Sequence, residues 1–72
     1  MNKARRTIIK RAIGDVEQIL QDVLDEECDS FENMPESLQE SPNGQASVEA
    51  QENLEAAIDA LEDAISYLED IE

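Results

Sequence analysis

The stretch Leu54-Glu55-Ala56-Ala57-Ile58-Asp59-Ala60-Leu61-Glu62-Asp63-Ala64-Ile65-Ser66-Tyr67-Leu68 decides the fold. Its large apolar residues, Leu54, Ile58, Leu61, Ile65 and Leu68, stand 4, 3, 4 and 3 residues apart. An α-helix turns once in about 3.6 residues, so this spacing lines one face and predicts an amphipathic helix over about 46–71. Ala57, Ala60 and Ala64 lie beside that seam, whereas Glu55, Asp59, Glu62, Asp63 and Glu69 face away from it.

The same rhythm recurs upstream. Ile9, Ile13, Val16, Leu20 and Val23 repeat the 4, 3, 4, 3 spacing, Leu24 adjoins them, and Phe31 continues the face one turn beyond Cys28. This predicts a first helix over about 4–32 with a heptad seam. Gly14 interrupts it at a cost of about 1 kcal/mol, and marks either a close helix approach or a tolerated glycine. Three of the four glycines and prolines fall between Pro35 and Gly44. The connection therefore spans about 33–45, with Asn33 or Ser41 available as caps and each proline placed where a new turn can start. Pro35 is expected to begin a single helical turn through Leu38. Ser41-Pro42 then opens the second helix, which Gly44 is expected to delay to about Ser47.

Two long helices joined in this way pack antiparallel, so the fold class is all-α, a two-helix hairpin forming a single domain over 1–72. Facing residues of an antiparallel pair share a constant sum of residue numbers. Ile13 with Ile65, Leu20 with Ile58 and Leu24 with Leu54 each sum to 78, while Ile9 with Leu68 and Val16 with Leu61 each sum to 77. One alignment thus satisfies both seams. A chain of 72 residues with one seam per helix buries only a modest part of its surface. Association of two hairpins into a homodimeric four-helix bundle is the expected remedy, ahead of docking on another partner.

No apolar run is long enough for a membrane span, and the basic start Met1 to Arg6 lacks the apolar core of a signal peptide. A cytoplasmic location is expected. Cys28 is the only cysteine, so no internal disulfide forms. Its neighbours Asp25, Glu26, Glu27 and Asp29 disfavour the thiolate, and it reads as a small helix residue rather than a redox thiol.

Charge is strongly segregated. All five basic residues, Lys3, Arg5, Arg6, Lys10 and Arg11, precede all nineteen acids, which run from Asp15 to Glu72 and leave a net charge of −14. Cations at a helix start and carboxylates at a helix end both oppose the macrodipole. An antiparallel hairpin relieves this by setting the basic start beside Glu69, Asp70 and Glu72. At the other end, acids from Asp22 through Glu40 to Glu55 have no cation among them. That end reads as a solvated face, as a surface complementary to a basic partner protein, or as a mimic of a nucleic-acid backbone that blocks a DNA- or RNA-binding protein. Direct binding to nucleic acid is not expected, because the acids would repel the duplex. Nor is membrane binding by the basic arm, which has no aromatic anchor.

Catalytic chemistry is missing. There is no histidine, no glycine-rich phosphate loop, and no calcium-loop pattern in the acidic run from Asp22 to Glu32. A narrow hairpin has no pocket in which to desolvate paired carboxylates. No enzyme activity, cofactor or metal site is expected.

The connection Phe31-Glu32-Asn33-Met34-Pro35-Glu36-Ser37-Leu38-Gln39-Glu40-Ser41, preceded by Asp25-Glu26-Glu27, resembles that of a family of small acidic proteins. They occur in phages, prophages and other mobile elements of Gram-positive bacteria. The family is similar in its basic helical start, its Phe-x-Asn-x-Pro-x-x-Leu-Gln-x-Ser connection, and its final helix rich in Leu, Ile, Glu, Asp and Ala. The resemblance covers nearly the whole chain, and the connection is its specific part. Asn43 departs from the pattern, standing where the family often carries arginine. The resemblance implies a mobile-element context but no mechanism. The expected function is therefore an acidic interaction module, with a structural or oligomerisation role as the third possibility after mimicry. Its candidate partner-binding residues are Asp25, Glu26, Glu27, Asp29, Phe31, Glu32, Met34, Glu36, Leu38 and Glu40. Phe31, Met34 and Leu38 read either as a plug closing the loop end or as a hydrophobic anchor for the partner.

Overall fold

A computed structural model describes residues 1–71; Glu72, expected beside the basic start, lies outside them. Three helices follow one another: α1 (Lys3–Glu32), α2 (Glu36–Gln39) and α3 (Pro42–Glu69). The long α1 packs against α3 to make a helical hairpin, and the single turn of α2 lies against the start of α3.

Each boundary has a local cause. The Asn2 side chain accepts from Ala4 N at 2.7 Å and from Arg5 N at 3.4 Å, satisfying two of the free donors at the start of α1. Asn33 closes that helix, its N–H donating to Asp29 O at 3.0 Å, and Pro35 follows two residues later. The Pro35 carbonyl accepts from Leu38 N and Gln39 N, which forms α2. Ser41 caps α3, accepting from Gly44 N at 3.4 Å, and Pro42 occupies the first turn, where no N–H is needed.

The second helix thus begins at Pro42 rather than near Ser47. Gly44 does not delay it, because its backbone is helical and carries no positive φ. Gly44 is buried, and a Cβ there would lie 2.6 Å from Gln39 Cα and nearer still to the Gln39 carbonyl. The glycine lets α3 start directly beneath α2. Gly14 is the tolerated one: a Cβ added to it meets nothing within 4 Å.

Cross-helix contacts report the register. Lys10 pairs with Glu69, and Cys28 donates to Gln51, both with residue numbers that sum to 79. Arg6 donates to the Ile71 carbonyl, with a sum of 77. These values bracket the 78 expected from the two seams.

The face of α1 turned toward α3 runs through Arg6, Lys10, Ile13, Glu17, Leu20, Leu24, Cys28 and Phe31, all buried or half-buried. On α3, Leu54, Ile58, Leu61, Ile65 and Leu68 are half-buried. Ile9, Val16 and Val23, expected in the same seam, are 37%, 46% and 41% exposed. Their stripe is rotated away from α3. The inner positions are taken instead by Glu17 and by Lys10, whose stem lines the interface while its head reaches Glu69 at the edge. The Glu17 Oε1 atom is enclosed without a hydrogen-bond partner among the described residues.

The result is a rod of 54 × 15 × 11 Å. Its radius of gyration is 16.4 Å, against about 11 Å for a compact domain of this length. Leu24 is the one apolar side chain classed as buried among the described residues, and none of those large side chains is fully enclosed. No helix of the described residues is long and apolar enough to cross a membrane.

Candidate functional site

The connection is fastened by polar groups. At the end of α1 the last carbonyls lack helical partners. The Gln39 side chain donates to two carbonyls there, Phe31 O at 3.1 Å and Met34 O at 3.2 Å. The Ser41 hydroxyl donates to Leu38 O while accepting from Gly44 N. A second set lies one layer further into the hairpin. The Cys28 thiol donates to Gln51 Oε1 at 3.3 Å, and Gln51 Nε2 donates to Ser47 Oγ at 3.4 Å. Ser47 is only 4% exposed, so the neck below the connection is polar and tightly packed.

On this frame the candidate residues divide. Asp25, Glu26, Asp29, Glu32, Glu36 and Glu40 are exposed, while Glu27 is half-buried toward α3. Phe31 and Met34 are half-buried, and Leu38 in α2 is 49% exposed. The structure thus brings an exposed leucine and two partly covered apolar side chains into one acidic cap. Glu49, Glu52 and Glu55 on the first turns of α3 extend the acidic surface. No cation occurs in the sequence after Arg11, so this charge has no internal counterpart.

Cys28 sits among these acids. Partial burial, and after it the carboxylates of Glu32, Asp25, Glu55 and Asp29, push its thiol above the ordinary value of 9.0. The thiol stays protonated at neutral pH, which is the form that donates to Gln51.

The opposite end is nearly balanced. Lys10 and Glu69 form an ion pair at 3.1 Å, with side chains 36% and 56% exposed, a contact of about 0–1 kcal/mol. Arg6 reaches the Ile71 carbonyl, and so places a cation at the negative end of α3.

Gln39, Ser47 and Gln51 were not singled out by sequence reasoning. Gln39 lies within the connecting motif, and its place just before a capping serine is the signal that could have marked it. Nothing in the sequence distinguishes Gln51 from other polar residues of α3. A groove along the middle of the hairpin, lined by Gly14, Glu17, Gln18, Gln21, Ile58 and Glu62, is open and remote from the acidic cap. Among the described residues no group of three or more His, Cys, Asp or Glu side chains has the geometry of a metal site. Against known protein families, curated proteins and solved structures, the chain finds no match.

Proposed function

We propose that this chain is a non-enzymatic interaction protein, an accessory protein of a phage or other mobile element. It works as a homodimeric four-helix bundle and binds a basic host or viral protein through its connection end. The observation that carries this reading is the cap itself. The half-exposed Leu38 stands among the exposed carboxylates of Glu32, Glu36 and Glu40, which have no cation near them in the sequence, and Gln39 and Ser41 fasten the backbone of that segment. Acidic surroundings steer a basic partner to the site, and a central apolar residue supplies the desolvated contact. A fastened loop also loses little entropy on binding. The lack of histidine and the open form of the groove favour binding over catalysis.

Nucleic-acid mimicry is the second reading, favoured by the rigid length of the rod. Its charge density is the weaker part. A net −14 over 54 Å is one charge per about 4 Å, against one per about 1.7 Å along duplex DNA. Affinity capture from a bacterial lysate, repeated with competing duplex DNA, separates the readings. A partner retained in the presence of DNA supports the basic-protein reading, and one released by DNA supports mimicry. Failure to retain any partner contradicts both.

A further inference from the structure

The hairpin has one apolar flank that nothing in the single chain covers. On α1, Ile9, Val16, Ile19 and Val23 are 37–61% exposed, with Ala12 between them also exposed. Their spacing of 3 and 4 residues makes a continuous stripe. At about 100° per residue, that stripe lies roughly 90° around α1 from the face that meets α3. On α3, Ala57 and Ala64 flank the seam by a similar rotation. Because the helices are antiparallel, both rotations point to the same side of the hairpin. A helix with two apolar faces about 90° apart, on the same side as its neighbour's, is the arrangement of a four-helix bundle.

We infer that a second copy of this chain covers this flank, packed antiparallel so that α1 lies on α1 of the other copy, centred near Val16. This rests on the homodimer named in the proposed function and assigns its surface and orientation. Two further observations select that occupant. The chain exposes 5392 Å², whereas a compact monomer of 8.1 kDa exposes about 4,500 Å². The excess of about 900 Å² comes with the elongated shape, and leaves the chain surface enough for the roughly 800 Å² that each partner buries in a standard interface. The charge pattern of α1 then sets the direction. It begins with Lys3 to Arg11 and ends with Asp22 to Glu32, so an antiparallel copy lays each basic arm along the other's acidic half. Among the described residues Lys10 forms an ion pair within the chain, and Lys3, Arg5 and Arg11 form none. A parallel pairing would instead place the two acidic caps side by side. A centre near Val16 also leaves both connections beyond the overlap, so the dimer presents Glu32, Glu36 and Glu40 unpaired at opposite ends of a longer rod.

The experiment is light scattering on the full chain, with Cys28→Ser/Val16→Cys as a second protein. A mass of twice 8.1 kDa, lost on Ile19→Glu with helicity retained by circular dichroism, is the expected result. Oxidised Cys28→Ser/Val16→Cys should run almost wholly as a disulfide-linked pair, since the two-fold axis passes near that position. A monomer throughout overturns both the homodimer and this interface. A dimer that survives Ile19→Glu and forms no disulfide from position 16 overturns this interface alone.

Discussion

Gly44→Ala tests whether the close start of α3 under α2 is what holds the connection in shape. In an unconstrained helix, alanine is favoured over glycine by about 0.8–1 kcal/mol. Here the added methyl meets the Gln39 backbone, 2.6 Å from its Cα and nearer to its carbonyl, and backbone cannot rotate aside as a side chain can. Overpacking of this kind costs about 1–3 kcal/mol, which outweighs the helix gain. Gly14→Ala supplies the matched control, because its methyl meets nothing within 4 Å and keeps the full propensity gain. The two variants share the propensity gain and should differ by the overpacking cost of about 1–3 kcal/mol, or roughly 4–24 °C in Tm for a domain of this size. Thermal unfolding by circular dichroism, at one fixed protein concentration because association raises Tm, reads the difference directly. If Gly44→Ala raises Tm as much as Gly14→Ala does, the steric account of the connection is wrong.

Four further outcomes follow from Glu17, Cys28 and the overall charge. Glu17→Leu should raise stability by about 1 kcal/mol, since it replaces an enclosed, unpartnered carboxylate oxygen in the seam with apolar surface; urea unfolding measures it, and a loss of stability would contradict the assignment. The Cys28 thiol, raised in pKa by partial burial and by Glu32, Asp25, Glu55 and Asp29, should react with iodoacetamide more slowly than a free cysteine at pH 8, and added salt should speed it by screening those acids. Because folding raises this pKa, the associated stability is complete below the unfolded value and is lost as pH rises through the folded one, so it fades on the alkaline side of 9.0. With a net charge of −14, raising the salt concentration should increase Tm; a decrease would mean that local ion pairs such as Lys10–Glu69 outweigh general repulsion.

The hairpin, the break after Asn33 and the register are legible in the sequence because each has a local signal, whereas the start of α3 at Pro42 is not, because Gly44 reads as a breaker until its close approach to Gln39 is seen. Leu54 to Leu68 carries an unambiguous period, Pro35 and Pro42 punctuate it, and Ser41 precedes a proline where a cap belongs. The rotation of α1 is not legible in the same way. Its apolar residues fill a stripe wider than one neighbour can cover, and periodicity marks the stripe without saying which flank each neighbour takes. The expected seam through Ile9, Val16 and Val23 therefore lies along the outer edge of the contact, while Lys10 and Glu17 occupy its inner line. The acidic cap was readable from charge order alone. Its fastening by Gln39 was not, because a glutamine that satisfies carbonyls eight and five residues earlier leaves no periodic trace.

The claim that the acidic cap is the working surface is tested most directly by two variants that remove equal charge from different places. One neutralises Glu32, Glu36 and Glu40 to their amides; the other neutralises Asp59, Glu62 and Asp63, likewise exposed but outside the cap. Quantitative capture of the same bacterial partner by both should show retention lost in the first and kept in the second. Equal loss in the two variants, or equal retention, would mean that overall charge rather than the cap governs binding, and the account would fail.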